Sequence, residues 1–436
     1  MKGQGLNDTS ESIIGSAAER ALAQMRRQGF EHAQAAASVL VLTELNVAHN
    51  DPSLLRSTEQ RKLSLLGIVD GRKASAELTE FHDDAVRERI ESLHAQTLCA
   101  PRDDANAVSS GQQARIVQGP QAPDEAVLAG KVQELLDFRA RETPKMLVDE
   151  AFVAHTRVES RLLTSGGSDL ACRLGWYGMN VFGTARDGNR SSSFAYTGGS
   201  SDDLSSAHAC AHFGIEEMLR DTERQIDTQP VPARFVGDVV LSPGAVADLV
   251  EWLQGQVGDM QLIAGTSLLR QRVGEQVASP LLTLKSRFDA PGVAAVSADG
   301  FATPAVHLLK AGRLVTLLPS LYGSRKTGLP HVPVAAAGWE IEAGDTPHAQ
   351  VVGGVARGAL VGRLSMGMPA ANGDFSGVIK NSFLVENGQV GPALSEVMIA
   401  GNIARMLNDV VSVSRERIDT GDLHLPWIRI AGLHFS

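Results

Sequence analysis

The sequence predicts an α+β protein with an N-terminal α/β domain, followed by a C-terminal domain built on a curved, largely antiparallel sheet with flanking helices. Three observations carry this expectation. The first part mixes helical periodicity with extended apolar runs, the second part is rich in short apolar segments, and turn signals at Asp70-Gly71, Ala311-Gly312 and Asn387-Gly388 join neighbouring strands as hairpins. The division expected along the chain is 1–125 for the N-terminal domain with its linker, 126–230 for a central strand–helix segment, and 231–436 for the C-terminal domain.

Taken in order, Glu11 to Arg27 reads as an Ala-rich amphipathic helix with Ile13, Ile14, Ala17, Ala21, Leu22 and Met25 on one side. Ala33 to Val47 reads as a strand, and Lys62 to Val69 and Lys73 to Leu78 as a pair turning at Asp70-Gly71. The charged, periodic stretch Phe81 to Ala95 supplies a helix to cover them. Between Pro101 and Pro123 the residues become polar and small, as in a solvated connector or long surface loop. Helical periodicity returns from Ala126 to Ala140. Phe152 to Leu163 and Ala171 to Thr184 then alternate as two strands joined at Ser165-Gly166-Gly167-Ser168. No Lys-Ser/Thr follows that Gly-rich turn, so a hairpin is the better reading than a phosphate loop.

Leu204 to Arg224 reads as one helix, and it holds the most metal-like composition of the chain. On such a helix His208, His212 and Glu216 would fall at i, i+4 and i+8, sharing a face that suits a zinc ion, with Cys210 pointing elsewhere. The alternative is two solvated or hydrogen-bonded histidines. Val239 to Leu241 make a short buried strand that Ser242-Pro243-Gly244 breaks. Ala247, Leu249, Val250 and Leu253 continue as a helix with Ser242 as its cap and Pro243 in its first turn. Strands are expected at Leu281–Lys285, Ala305–Lys310, Arg313–Leu318, Val351–Ala356 and Leu360–Ser365. A helix is expected over Ser395 to Val411, and a last strand around Trp427, Ile428 and Ile430.

Composition narrows the function. A formal net charge of −10 disfavours broad contact with nucleic-acid phosphates. No apolar run approaches the roughly 20 residues that span a bilayer, and MKGQGLNDTSES carries no secretory h-region, so no membrane partner and a cytoplasmic location are expected. Cys99, Cys172 and Cys210 are odd in number and widely spaced, which reads as reduced thiols rather than a disulfide framework.

The later half carries a family pattern. Asn372-Gly373-Asp374-Phe375-Ser376-Gly377, Phe383-Leu384-Val385-Glu386-Asn387-Gly388 and Met398-Ile399-Ala400-Gly401-Asn402-Ile403 follow one another in order. Upstream lie Gly274-Glu275, Leu281-Leu282-Thr283, Phe288-Asp289-Ala290-Pro291-Gly292 with Thr303, and Leu321-Tyr322-Gly323-Ser324-Arg325-Lys326-Thr327-Gly328. Together these resemble the C-terminal signature of the TldD/PmbA family, also described as modulators of DNA gyrase. The N-terminal likeness rests on Asp70-Gly71-Arg72, the helix after it and the Thr164-Ser165-Gly166-Gly167 turn.

The resemblance implies a two-subunit zinc metalloprotease in which the TldD-type subunit carries H-E-x-x-x-H on a helix and a cysteine further along. There the zinc activates water while the glutamate takes its proton. Aligning the Pro-Gly turn of that subunit with Pro243-Gly244 brings its three metal-site positions onto Glu251, Trp252 and Gln256, and every Cys of this chain lies before that helix. By resemblance this is therefore the TldE/PmbA-type subunit, without zinc motif, catalytic residue or cofactor of its own, paired with a TldD-like zinc-bearing homologous subunit. Pairing with itself in isolation stays open. Peptides, or a peptide- or amide-bearing biosynthetic intermediate, are the implied substrates. Tyr322, Arg325, Lys326, Asp374, Phe375 and Ser376 fall in matching segments and are the candidates to face peptide or partner. The alternatives are a self-sufficient metal-dependent hydrolase using His208, His212 and Glu216, or a regulatory protein-binding factor.

Overall fold

The computed structural model, which describes residues 7–231, 233–367, 369–395 and 397–436, begins with the expected helix. Along α1 (Asn7–Gln28), Ile14, Ala17, Ala21, Leu22 and Met25 are buried in one stripe. In β1 (His32–Ala48), Ala33, Ala35, Ala37 and Val39 are buried at alternate positions, the period-two pattern of a strand with one covered face. His49 and Asn50, both at positive φ (52° and 72°), turn the chain into β2 (Asp51–Val69). This strand starts at Asp51 rather than Lys62, and its first residues are almost all exposed on both faces, which leaves no alternation to read. Asp70 and Gly71 make the expected turn to β3 (Arg72–Leu78), and α2 (Asp83–Cys99) covers it.

The polar stretch after Pro101 is more than a connector, for it contains β4 (Gln113–Gln118). Helix α3 (Glu125–Glu142) follows, its orphan N–H groups at Ala126 and Val127 donating to the Asp124 carboxylate. Next come β5 (Met146–Thr164) and β6 (Asp169–Asp187), joined by the expected hairpin, then β7 (Arg190–Ser191) and β8 (Ala195–Ser201). The sheet runs β3-β2-β1-β5-β6-β4, with β7 and β8 also on β6. Pairing is antiparallel except for β4 on β6, so one sheet joins residues on both sides of position 125. Because β3 pairs only with residues 63–69 of β2, the outer edge of 51–62 is free among the described residues. Leu54 and Leu55 stand there 48% and 53% exposed.

The single helix expected over Leu204–Arg224 does not form. A 3₁₀ turn at Ala209–Ala211 is followed by Phe213 and Gly214 at φ 55° and 72°, and only then by α4 (Ile215–Arg224). Left-handed backbone at two consecutive residues ends any right-handed helix, so His208, His212 and Glu216 do not share a helical face. His208 Nδ1 accepts from the Cys210 N–H, His212 Nε2 donates to the Leu204 carbonyl at 3.0 Å, and Glu216 is paired with Arg220 at 2.9 Å. The metal site read from their spacing loses its geometric basis.

The second sheet starts with β9 (Thr228–Gln229) and β10 (Phe235–Leu241), after which come α5 (Pro243–Val257) and α6 (Asp259–Ala264). Short elements follow: β11 (Leu284–Ser286), β12 (His307–Lys310), β13 (Arg313–Leu314), α7 (Leu321–Thr327), β14 (Trp339–Ile341) and α8 (His348–Gly353). The chain closes with β15 (Arg357–Val361), β16 (Arg363–Ser365), β17 (Asp374–Lys380), β18 (Phe383–Glu386), β19 (Gln389–Leu394), β20 (Val397–Asn402), α9 (Ile403–Asn408), β21 (Val410–Asp419) and β22 (Leu423–Phe435). Strand β22 organises this sheet, pairing with β10, β14, β20 and β21. Most pairs are antiparallel, while β10–β15, β14–β22 and β9–β19 are parallel.

In this second half two elements differ in type from expectation, while the strands expected at Leu281–Lys285 and Arg313–Leu318 are reduced to Leu284–Ser286 and Arg313–Leu314. Val351 and Val352 are buried on α8, not on a strand, because a short apolar run is compatible with either. The helix expected from Ser395 to Val411 divides into β20 and the six-residue α9, where Asn402 accepts from the Arg405 N–H and so starts the helix late. Gly358 is required where β10 and β15 meet, since a Cβ there would lie 1.9 Å from the Asp238 carbonyl oxygen. That close pairing holds β10, and through it the start of α5, in place.

Candidate functional site

Helix α5 is positioned by its cap. The Ser242 hydroxyl donates to the Gly362 carbonyl at 2.8 Å and accepts from the Ala245 N–H at 3.4 Å, and Pro243 occupies the first turn. Val246, Leu249, Val250, Leu253 and Val257 are buried in the core. Glu251 on the opposite face is exposed, and Trp252 is half-buried. A groove of about 500 Å³ runs along this face, between Asp248, Glu251, Trp252 and Gln256 on one side and residues 364–367 and 369–371 on the other.

Each of the three motif positions has a definite role. Gln256 is buried, and its Oε1 accepts from the Leu268 N–H at 2.9 Å, tying the segment after α6 to α5. The Trp252 ring packs near Gly373, where a Cβ would sit 3.3 Å from Cζ2. Glu251 adds negative charge near Asp248, one turn earlier on the same face. Burial, and then the Glu251 carboxylate, push the Asp248 carboxyl up to about 6, with Arg363 partly offsetting them. Asp248 was not singled out from the sequence, although its i, i+3 spacing from Glu251 was the signal that would have found it.

This donor set does not fit a zinc ion. An indole offers no lone pair to a metal, the Gln256 amide oxygen is already committed, and zinc takes His nitrogen, Cys sulfur or carboxylate oxygen. Among the described residues, no group of three or more His, Cys, Asp or Glu is arranged to hold a metal. The groove instead presents two carboxyl groups beside an aromatic face, suited to hydrogen-bonding an extended chain or an amino group.

The Asp374–Ser376 candidates sit at the start of β17, one side of this groove away. The tight turn is Ala370 to Gly373, just before them, and Phe375, Ser376 and Gly377 are already in the strand. Asn402 and Asn372 both donate to the Asp374 carboxylate, which lowers its pKa and ties the turn to the cap of α9. Phe375 is buried in the core, while Ser376 is exposed.

Tyr322, Arg325 and Lys326 lie elsewhere, on α7. They face the segment after α2: the Tyr322 hydroxyl donates to Asp103 at 2.7 Å, Lys326 pairs with Asp103 at 3.0 Å, and Arg325 donates to the Asp104 carbonyl at 2.9 Å. The Tyr322 hydrogen bond, the Ala105 N–H and Lys326 hold the Asp103 carboxyl down at about 2. Its folded pKa is depressed, so its contribution is complete above the ordinary carboxylate range and is lost as pH falls toward 2. Asp103→Asn is expected to lower Tm at neutral pH by about 2–4 °C. Melting curves at pH 7 and pH 3 check this, and a shift as large at pH 3 would contradict the assignment.

Comparisons with known proteins bear on this geometry. The PmbA/TldA metallopeptidase C-terminal domain matches residues 236–436, which carry all of the second sheet except β9 and the first residue of β10. Metalloprotease PmbA of Escherichia coli O157:H7 is 26% identical over 412 residues, covering 84% of this chain and 85% of that protein. Residues 236–436 belong to the TldD/PmbA family, and the likeness to PmbA runs along most of the chain. Its fold is that of solved relatives: TldE from Thermococcus kodakarensis superposes with a TM-score of 0.80 at 20% identity, covering 96% of this chain and 100% of that one. A Bacteroides thetaiotaomicron protein described as a candidate modulator of DNA gyrase gives 0.82 at 21% identity, over 97% and 98%. By the matched domain and the likeness to PmbA, the chain is metallopeptidase-like in sequence.

Proposed function

We propose that this chain is the non-catalytic subunit of a heteromeric TldD/TldE-like zinc metalloprotease acting on peptides, or on a peptide- or amide-bearing biosynthetic intermediate. The observation that carries the reading is the chemistry of α5: Glu251, Trp252 and Gln256 stand where the resemblance puts the metal positions, and the Gln256 oxygen is spent on the Leu268 N–H. In this reading the zinc belongs to the partner subunit. This chain contributes the α5 groove, in which an extended substrate lies against Trp252 and meets the Asp248 and Glu251 carboxyls. The free outer edge of β2 with Leu54 and Leu55 supports association, because an open strand edge pairs readily with another chain. No helix among the described residues is long and apolar enough to cross a membrane, and a cytoplasmic location is part of the proposal.

The test is co-expression with a zinc-bearing homologue. The two chains should co-purify, bound zinc should be found with the partner and with the pair but not with this chain alone, peptidase activity should appear only with the pair, and substituting the partner's metal ligands should abolish turnover. Stoichiometric zinc with turnover in this chain purified alone would overturn the reading.

A further inference from the structure

A second cavity, of about 230 Å³, lies between the two sheets beside the first turn of α5. Its wall is mainly apolar, with Phe213 and Met218 from the N-terminal side and Leu360, Leu425 and Trp427 from the C-terminal side. Besides Asp221, two opposite charges line it. Glu217 comes from α4 and Arg363 from the start of β16, so each side of the cavity supplies one.

Neither charge has a hydrogen-bond or ion-pair partner among the described residues, and no ion pair joins them to each other. The neighbouring Asp221 is satisfied by Arg224 at 3.0 Å. The Arg363 guanidinium lies over the Phe194 ring at 4.6 Å, which fixes its position without using its N–H donors. Burial, and then Asp221, push the Glu217 carboxyl up to about 7, a penalty that a cation beside it would relieve. Unpaired charges on an apolar wall are unfavourable. Here the arrangement is complementary to a molecule that carries both missing partners and an apolar body between or beside them.

We propose that this cavity binds a zwitterionic small molecule of amino-acid size with an apolar body, its ammonium on Glu217 and its carboxylate on Arg363. A carboxylate only accepts hydrogen bonds and so selects the ammonium, while the planar guanidinium fork matches a carboxylate. Water takes about 30 Å³ per molecule in the liquid, so the space corresponds to about eight waters, the size of a leucine. The inference stands apart from the partner-subunit reading, because the cavity is formed by this chain alone.

The experiment is calorimetric titration of the purified full chain with L-leucine and 6-aminohexanoate, isomers that differ in the separation of their charges. Hexylamine and hexanoate serve as the half-ligands. At least one isomer is expected to bind, with both half-ligands weaker by roughly tenfold or more, as the loss of one charge-assisted hydrogen bond implies. Glu217→Gln and Arg363→Gln should each weaken the zwitterion by a similar factor, with thermal melts confirming that the variants are folded. If a variant does not fold, the four-ligand comparison on the unaltered chain decides. Failure of both isomers to bind, half-ligands binding as tightly as the zwitterions, or folded variants binding unchanged would overturn the proposal.

Discussion

Trp339→Ala should lower the free energy of unfolding by about 3–5 kcal/mol, the usual range for deleting a large buried aromatic ring. Trp339 is 1% exposed and sits in β14 between β11 and β22. Its ring meets Phe288 edge-on at 5.5 Å and 84°. The backbone N–H stays paired with the Asp422 carbonyl, so the loss is one of packing rather than of hydrogen bonding. Because β22 also pairs with β10, which leads into α5, the damage should reach the groove. Urea unfolding followed by both far-UV CD and tryptophan fluorescence measures the effect, and a loss below about 1 kcal/mol would show that the site collapses around the smaller side chain.

Glu217→Gln should stabilise the protein at pH 8, by of order 2 kcal/mol, and do little at pH 4. The sign follows from the raised pKa. Folding lifts the Glu217 carboxyl from its ordinary value of 4.5 to about 7, so the folded state holds a proton that the unfolded state has released. Stability from this group is therefore greatest below 4.5 and is lost as pH rises through the window to about 7, above which the deficit is constant. Glutamine removes the titration and with it the deficit. Asp202, Asp221 and Asp248 are also raised and other carboxyls, Asp103 among them, are lowered, so the slope of the unaltered protein is shared among them. The difference between the two proteins isolates Glu217. Denaturation at pH 4, 6 and 8 gives the answer, and a stability difference that did not grow with pH would refute the assignment.

How far the chain was readable depended on what each segment buries. Strand β1 alternates because one face is covered, and its pattern announced it. The first half of β2 is exposed on both faces, so its sequence looks like a loop although it is paired throughout with β1. β4 hid in a polar stretch because it is a short strand at the end of the sheet whose covered face is only partly buried. The 204–224 segment is the opposite case: its composition suits a helix, but Gly214, at positive φ, is a stop inside it. Over 395–411 the apolar spacing was real, since Ile399, Ile403, Met406 and Leu407 are all buried, but it is shared between a strand and a short helix. Asn402 marks the join as a cap.

The site shows the same division. Local rules placed α5, its serine cap and its proline, and they put Glu251, Trp252 and Gln256 on it, because capping and periodicity act within a few residues of chain. The grip of Gln256 on the Leu268 N–H, the engagement of Tyr322 and Lys326 with Asp103, and the meeting of Glu217 and Arg363 across one cavity join positions far apart in the chain. Those were decided only by the packing of two sheets, since desolvation and hydrogen-bond partners depend on which distant surfaces are brought into contact.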